Sequence, residues 1–177
     1  MRMCIFHLQI CTFAYQIYPM PLIHLTTFIA APVDRVFDLS RSINLHKQSM
    51  TKYSERVIGG KHSGLAELND TITWKAKHLF KERILKVAIT QVKRPDMFTD
   101  EAIEGDFKKM KHEHYFKPIE NGTIMIDQFY FESPYGTLGS WFNALYLNKY
   151  MERLLMERNK VIKQTAESNQ WKHYLEA

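Results

Sequence analysis

Residues 134–167 read PYGTLGSWFNALYLNKYMERLLMERNKVIKQTAE, and this stretch decides the fold. Its lead-in contains Pro134, Gly136 and Gly139, and no Gly or Pro follows within it. Side chains then recur at three- and four-residue spacings to form a stripe: Leu147, Met151, Leu154, Leu155, Arg158, Val161 and Ile162. Most charged side chains lie elsewhere on the helical cylinder. The pattern predicts one long helix with a covered face.

The residues upstream favour strands rather than a second long helix. Leu22–Ile29 is rich in β-branched residues, which are typical of a strand. A short helix that buries Val36 and Phe37 is expected next, followed by a second over Ser42–Ser49 with Ser42 as its N-cap. The economical arrangement is therefore one long helix lying across a curved antiparallel sheet.

Four further strands are expected between the short helices and the last hairpin: Ser54–Ile58, Asp70–Phe80, Lys81–Val92 and Met97–Ile103. In the second of these, alternation predicts an inner face that contains Ile72, Trp74, Ala76, His78 and Phe80. This inner face is apolar apart from one histidine.

A hairpin is predicted around Asn121-Gly122, because Asn-Gly is the strongest short-range hairpin signal. A two-residue turn there would pair Phe116 with Asp127, His114 with Phe129 and His112 with Phe131. All six side chains, together with Met125, would then share the inner face, with the two histidines and Asp127 in diagonal reach. A wider turn would change the pairing.

The predicted order is a strand, two short helices, about six antiparallel strands and a long helix, which is the order of the helix-grip fold. Several segments also match in order and spacing: Ile29–Val33, Thr73–His78, Arg94–Phe98, Gly105–Phe107, His112–Phe116, Pro134–Gly139 and Arg158-Asn159. On these residues the chain resembles the SRPBCC superfamily, which contains START and pollen-allergen-like proteins, and its bacterial cell-division-inhibitor-like branch. One departure is Leu79-Phe80, where the resemblance leads us to expect an aromatic-glycine pair.

The predicted fold class is α+β, with about seven strands wrapped around the C-terminal helix. A length of 177 residues and a hydrophobic content of 45% suit a single domain, expected over residues 20–168. Residues 1–19 are interpreted as an extension before a natural start at Met20, and residues 169–177 as a C-terminal tail.

Composition argues against several classes of partner. The net charge is +5, but Lys and Arg are scattered among acids without a basic run or a zinc-finger spacing, so no nucleic-acid partner is expected. Residues 1–19 are too short and too polar to span a bilayer, so no stable membrane insertion is expected. Cys4 and Cys11 do not form a disulfide framework, which favours a reducing, cytoplasmic compartment.

The resemblance implies a cavity between sheet and helix that binds a hydrophobic or amphipathic small molecule, such as a lipid, quinone or polyketide, without catalysis. The candidate ligand-binding residues are Trp74, His78, His112, His114, Phe116, Met125, Asp127, Phe129 and Met151. Aromatic and Met side chains would supply apolar contact, and the His and Asp side chains would orient a ligand oxygen. The alternative for each residue is ordinary core packing.

Other functions remain open from the sequence. A histidine beside a buried carboxylate suits acid-base chemistry of the cyclase or dehydratase kind. The resemblance also suggests a protein-interaction role in cell division or stress. His112 and His114 flank one residue on a strand, and Asp127 or His78 would complete a metal site. Because no third closely spaced ligand supports that site, neither a metal nor a cofactor is predicted.

Overall fold

The computed structural model describes residues 22–132 and 140–176, including their side chains except those of residues 140–145. The predictions for residues 1–19, which include Cys4 and Cys11, and for the lead-in 134–139 lie outside these ranges.

Seven strands and four α-helices make up the described parts of the chain. The strands are β1 (Leu22–Ile29), β2 (Arg56–Gly60), β3 (Thr71–His78), β4 (Lys81–Lys93), β5 (Met97–Glu104), β6 (Lys109–Ile119) and β7 (Gly122–Glu132). The helices are α1 (Val33–Arg41), α2 (Ile43–Ser49), α3 (Ser140–Ala166) and α4 (Lys172–Leu175). The strands form one antiparallel sheet in the order β1-β7-β6-β5-β4-β3-β2. The predicted helix-grip architecture is confirmed.

Helix α3 covers the inner face of the sheet. It packs against β1, α1 and α2 and buries Leu154, Leu155 and Ile162, all from the predicted stripe. None of the helices in the described ranges has the length and hydrophobicity needed to cross a bilayer.

The turn of the β6–β7 hairpin lies one residue earlier in the chain than predicted, which changes the register of the two strands. Ile119 pairs with Gly122, so Glu120 and Asn121 form the turn. Gly122 begins β7, and only glycine fits there, because a Cβ atom would lie 2.2 Å from the Ile29 carbonyl oxygen. The shift moves every partner by two residues, which preserves the face of each side chain. The observed pairs are Phe116 with Met125, His114 with Asp127 and His112 with Phe129.

The turn between β3 and β4 corrects the predicted inner face of β3. Ile72, Trp74 and Ala76 are buried as expected, but the strand ends at the half-buried His78. Leu79 and Phe80 have φ values of 51° and 67°, the left-handed conformation of a two-residue hairpin turn. The chain therefore leaves the sheet before residue 80, and Phe80 is 96% exposed.

Shorter elements agree with the sequence in part. Ser42 caps α2, since its Oγ accepts a hydrogen bond from the Leu45 amide at 3.3 Å. The strand predicted over Ser54–Ile58 instead runs over Arg56–Gly60, because residues 51–53 form a 3-10 turn that ends at Ser54 with a φ of 53°. Residues 169–177, interpreted as a tail, instead include a 3-10 turn and α4, and Trp171 and Tyr174 pack against the core.

The core divides into two clusters of buried apolar side chains. The packed cluster consists of Ile29, Ala31, Val36, Phe37, Leu39, Leu45, Phe98, Phe116, Met125, Ile162 and Ala166. The cavity cluster consists of Ile23, Ile43, Ala66, Ile72, Trp74, Val87, Ile89, Met110, Phe129, Phe131 and Leu155. The two clusters take side chains from the same face of β6 and β7.

Candidate ligand-binding cavity

A cavity of about 300 Å³ lies between the inner face of the sheet and α3. Most of its wall is apolar and includes Trp74, Val87, Met110, Phe129, Met151 and Leu154. The strand residues among them face inward because they alternate with outward-facing side chains. The helix residues face the cavity because they belong to one stripe of α3.

One part of the cavity wall is polar. Asp100 of β5, His112 and His114 of β6, and Arg158 of α3 all line it. Asp100 lies directly opposite His112 in the β5–β6 register, and the rings of His112 and His114 have centroids 3.7 Å apart. Several hydrogen-bonding groups therefore face the apolar space from one place.

Asp127 of β7 lies behind the two histidines and does not line the cavity. Its side chain is fully buried. His112 Nε2 lies 3.0 Å from Asp127 Oδ1, and Asn159 Nδ2 donates a hydrogen bond to Oδ2 at 2.6 Å. His114 Nδ1 also lies 2.8 Å from Oδ1, but its orientation falls outside hydrogen-bond geometry. Asp127 thus supports both histidines from the side away from the cavity.

Arg158 is the cation of this polar group. Its Nη2 donates a hydrogen bond to the Ser40 carbonyl oxygen at 2.9 Å, which fixes the guanidinium on α1. Its Nη1 lies 3.8 Å from Asp127 Oδ1 and has no hydrogen-bond partner in the described parts of the chain. Because Arg158 is only 6% exposed, this is a buried donor with unused capacity.

The surroundings of each group fix its charge at neutral pH. Burial raises the pKa of Asp127, but the hydrogen bond with His112 and the close approach of the His114 ring outweigh burial and hold the pKa well below its usual range. Burial also raises the pKa of Asp100, but the hydrogen bond to His114 together with the nearby His112, His114 and Arg158 outweighs burial and lowers the pKa. Burial, followed by the neighbouring His114, lowers the pKa of His112 to about 4. The site therefore presents a neutral His112 beside two ionised carboxylates.

Six of the nine predicted ligand-binding residues line the cavity: Trp74, His78, His112, His114, Phe129 and Met151. The other three do not: Asp127 lies behind the histidines, and α1 fills the space above Phe116 and Met125. The rings of Phe37 and Phe116 pack edge to face at 5.3 Å, and Ser40 Oγ lies 3.5 Å from Met125 Sδ. The prediction that these two residues line the cavity is therefore corrected: they belong to the packed cluster.

His78 lies away from the other histidines. Its Nδ1 lies 2.8 Å from the hydroxyl oxygen of Tyr150, and its ring lies 5.0 Å from that of Tyr53. Burial lowers the pKa of His78 and raises the pKa of Tyr150 to about 12. At neutral pH the protonated Tyr150 hydroxyl is the donor and the His78 ring nitrogen the acceptor. The sequence did not indicate Tyr150 as a site residue.

Asp100 and Arg158 were also not predicted as site residues, although each carries a signal in the sequence. Asp100 is two residues from the buried Phe98 on a predicted strand, so alternation puts it on the inner face. Arg158 is the charged member of the stripe on α3. A charged side chain on a buried face needs a buried partner, which makes it a candidate functional residue.

Among the described residues, one group has donor atoms close enough together to hold a metal ion: Asp100, His112 and His114. The predicted alternatives for the third ligand, Asp127 and His78, are replaced in this group by Asp100. Chemically, the polar wall can also donate hydrogen bonds to a ligand oxygen or accept a proton at a neutral imidazole.

The sequence matches no protein-family model and no curated protein. Solved structures nevertheless share its fold over most of their length. A Thermus thermophilus protein is 19% identical with a TM-score of 0.65, and the match covers 84% of this chain and 100% of that protein. The ginseng major latex-like protein 151 from Panax ginseng is 14% identical with a TM-score of 0.60, covering 84% and 99%.

A START superfamily protein from Mycobacterium smegmatis is 14% identical with a TM-score of 0.64, covering 82% of this chain and 97% of that protein. Together with the strand order and the C-terminal helix, these matches confirm the SRPBCC resemblance at the level of the fold. The chain therefore has the helix-grip fold of START and pollen-allergen-like proteins.

Proposed function

We propose that the protein binds a hydrophobic or amphipathic small molecule, of the lipid, quinone or polyketide class, without chemically changing it. The observation that supports this proposal is the cavity of about 300 Å³, apolar along most of its wall, with Asp100, His112, His114 and Arg158 grouped together on that wall. Its volume is at the lower end of the range of about 300–1,000 Å³ that is usual for small-molecule sites.

The apolar wall is suited to a ring or a short chain. Trp74 stacks on His46 with ring centroids 4.4 Å apart, so its indole is held in one orientation. Met151 is a flexible side chain that adapts its shape to a guest. Apolar contact of this kind favours binding through the area removed from water.

The polar wall is suited to a ligand oxygen. Arg158 Nη1 is buried without an acceptor in the described parts of the chain, and a ligand carbonyl, hydroxyl or carboxylate would satisfy it. The imidazole of His112, neutral at pH 7, faces the same space. An amphipathic molecule would therefore bind with its oxygen at this wall and its apolar part against Trp74 and Met151.

The proposal is tested by native mass spectrometry of the chain purified from its own host, which should detect a stoichiometric bound small molecule. A second measurement is titration with 1-anilinonaphthalene-8-sulfonate, a fluorescent hydrophobic dye. Ala76→Phe inserts a ring into the cavity and should weaken dye binding at least about tenfold, by more than 1.4 kcal/mol.

The matched control is Ala88→Phe on the outer face of β4, since Ala88 does not line the cavity. It adds the same volume and should leave dye binding unchanged. Equal effects of the two substitutions, or saturable dye binding in neither variant nor wild type, would contradict the proposal.

A second candidate function is general acid-base catalysis of the cyclase or dehydratase kind. It is favoured by one observation, the neutral His112 held by the ionised Asp127 at the cavity wall. If it holds, liquid chromatography with mass spectrometry of the incubated natural ligand will detect a new product in wild type and none in Asp127→Asn, of unchanged mass for a cyclisation and lighter by one water for a dehydration. Absence of a cofactor, absence of a nucleic-acid partner and a cytoplasmic location stay predictions from the sequence.

A further inference from the structure

We propose that Asp100, His112 and His114 form a binding site for a divalent transition-metal ion, with Zn²⁺ as the ion that the donor set suits. Two imidazoles and one carboxylate are common zinc ligands, and three protein ligands leave one position open. The potential ligand atoms of these residues all lie within 4.8 Å of one another.

The backbone positions these ligands. His112 and His114 are two residues apart on β6, so both imidazoles lie on the inner face. Asp100 is opposite His112 on the neighbouring strand β5. The ligands therefore come from a rigid sheet and need only side-chain rotation to converge.

One pair of donors already has the separation that a shared ion requires. Asp100 Oδ1 and His114 Nε2 are 3.2 Å apart. Two ligands of a tetrahedral zinc ion with bonds of about 2.0–2.1 Å are about 3.3 Å apart. The remaining donor, on His112, reaches the ion by a side-chain movement of about 1–2 Å, since the present separations do not exceed 4.8 Å.

Asp127 occupies the place of the carboxylate that orients a metal-binding histidine. Its Oδ1 lies 2.8 Å from His114 Nδ1, the ring nitrogen opposite to the one that faces Asp100. His114 Nδ1 is buried without a hydrogen-bond partner among the residues that the structure describes. An ion on Nε2 would fix the proton on Nδ1, and a small ring rotation would direct that proton at Asp127.

The charges around the site also favour a cation. Asp100 and Asp127 provide two negative charges, and Arg158 provides one positive charge close to Asp127. A divalent ion offsets the excess negative charge in a place with little solvent. The open position on the ion faces the cavity, where a water molecule or the oxygen of a bound ligand would occupy it. Only the binding of a ligand oxygen to the ion rests on the proposed function.

The test is a titration of the full-length, chelator-treated chain with Zn²⁺ by calorimetry and with Co²⁺ by visible absorption. All proteins carry Cys4→Ser and Cys11→Ser, because free thiols also bind zinc. The expected result is one equivalent of either ion per chain, with the absorption bands of four- or five-coordinate cobalt.

Asp100→Asn keeps the shape of the side chain and should weaken Zn²⁺ binding by at least about tenfold, as should Asp127→Asn through the orientation of the histidines. The control is His62→Ala, which removes an exposed histidine and should leave the affinity unchanged. Circular dichroism of each variant checks that it is folded.

Absence of saturable binding would overturn the inference, as would equal affinity in wild type and in a folded Asp100→Asn variant. A loss of Zn²⁺ affinity in His62→Ala as large as that in Asp100→Asn would also overturn the inference, because the ion would then bind at surface histidines. The dye titration of the metal-free chain separates this inference from the proposed function. Dye binding without zinc binding would contradict the proposed metal site alone. Zinc binding without dye binding would contradict the proposed binding of a hydrophobic ligand alone.

Discussion

The packed cluster and the cavity cluster lie on the same face of the same sheet, yet nine members of the second line the cavity of about 300 Å³ and only Phe98 of the first does. Three successive inward-facing residues of β7 lie in different surroundings. Met125 is in the packed cluster, Asp127 is in the polar group, and Phe129 lines the cavity. Alternation determines that all three face inward. The covering helix determines whether the space above each is filled.

The covering elements explain the difference. Above Phe116 and Met125, α1 contributes the ring of Phe37, and the end of α3 contributes Ile162. Above Phe129, the middle of α3 contributes Met151 and Leu155, which leave part of the volume open. We therefore expect the packed cluster, where α1 fills the space above the sheet, to contribute most to stability. The cavity cluster, which only α3 covers, would provide the binding capacity.

The largest expected effect is the cost of Phe116→Ala, and its comparison is Phe129→Ala, because both phenylalanines are 3% exposed. Phe116→Ala should cost about 4 kcal/mol of unfolding free energy, because a filled site cannot collapse around the deletion. Phe129→Ala should cost about 2–3 kcal/mol, because its ring already borders open space. Urea unfolding of both variants measures this difference. A larger cost at residue 129 would contradict the division of the core.

Asp127→Asn tests the boundary between the clusters. It should cost about 3 kcal/mol, because the carboxylate pairs with the buried Arg158 and accepts a hydrogen bond from Asn159. Asp100→Asn should cost about 1 kcal/mol, since the Asp100 side chain is 20% exposed and its partner is His114. Thermal unfolding of the metal-free proteins measures both. Equal costs would mean that the two carboxylates are interchangeable.

The pH dependence of stability tests the same boundary with a smaller change. Burial and the neighbouring His114 lower the pKa of His112 from 6.5 to about 4 despite Asp127 and Asp100. Between pH 6.5 and pH 4 the unfolded chain binds a proton at this residue and the folded chain does not. The metal-free fold should therefore lose roughly 2–3 kcal/mol as the pH falls through this window.

His112→Gln should remove most of this loss, whereas His78, whose pKa is also lowered, contributes with the same sign. Urea unfolding at pH 7, 5.5 and 4.5 measures the slope. An unchanged slope in His112→Gln would mean that the histidine does not stay neutral in the folded state.

The smallest expected effect lies at the β3–β4 turn beside the cavity, which Leu79 helps to line. Leu79 and Phe80 both adopt positive φ without the side chains that suit it. Replacing them with Asn and Gly should stabilise the fold by about 1 kcal/mol. The midpoint of thermal unfolding measures the gain. A loss of stability would mean that the exposed Phe80 has contacts that favour the present turn.

The sequence predicted the fold because its signals are periodic and local. Alternation in β3, β6 and β7 identified the inner residues, and the stripe of α3 identified the covering helix. The turn at Glu120-Asn121 was missed because the close approach of Ile29 to Gly122 joins distant segments. No local pattern contains that contact.

The candidate site was predicted only in part for the same reason. Periodicity assigned His112, His114 and Asp127 to one face, and the structure brings them together. It could not determine that α1 fills the space over Phe116 and Met125, since this depends on how a helix packs across strands far away in the chain. Asp100 joined the group through pairing of β5 with β6.

The most direct test of the account is nuclear magnetic resonance of the methionine methyl groups during titration with 1-anilinonaphthalene-8-sulfonate. Met50, Met110 and Met151 line the cavity, and Met125 is fully buried in the packed cluster. The account predicts that the methyl signals of the first three shift with saturation at one dye per chain, and that the signal of Met125 stays in place. A shift of Met125 as large as that of Met151, or no shift among the three, would contradict it.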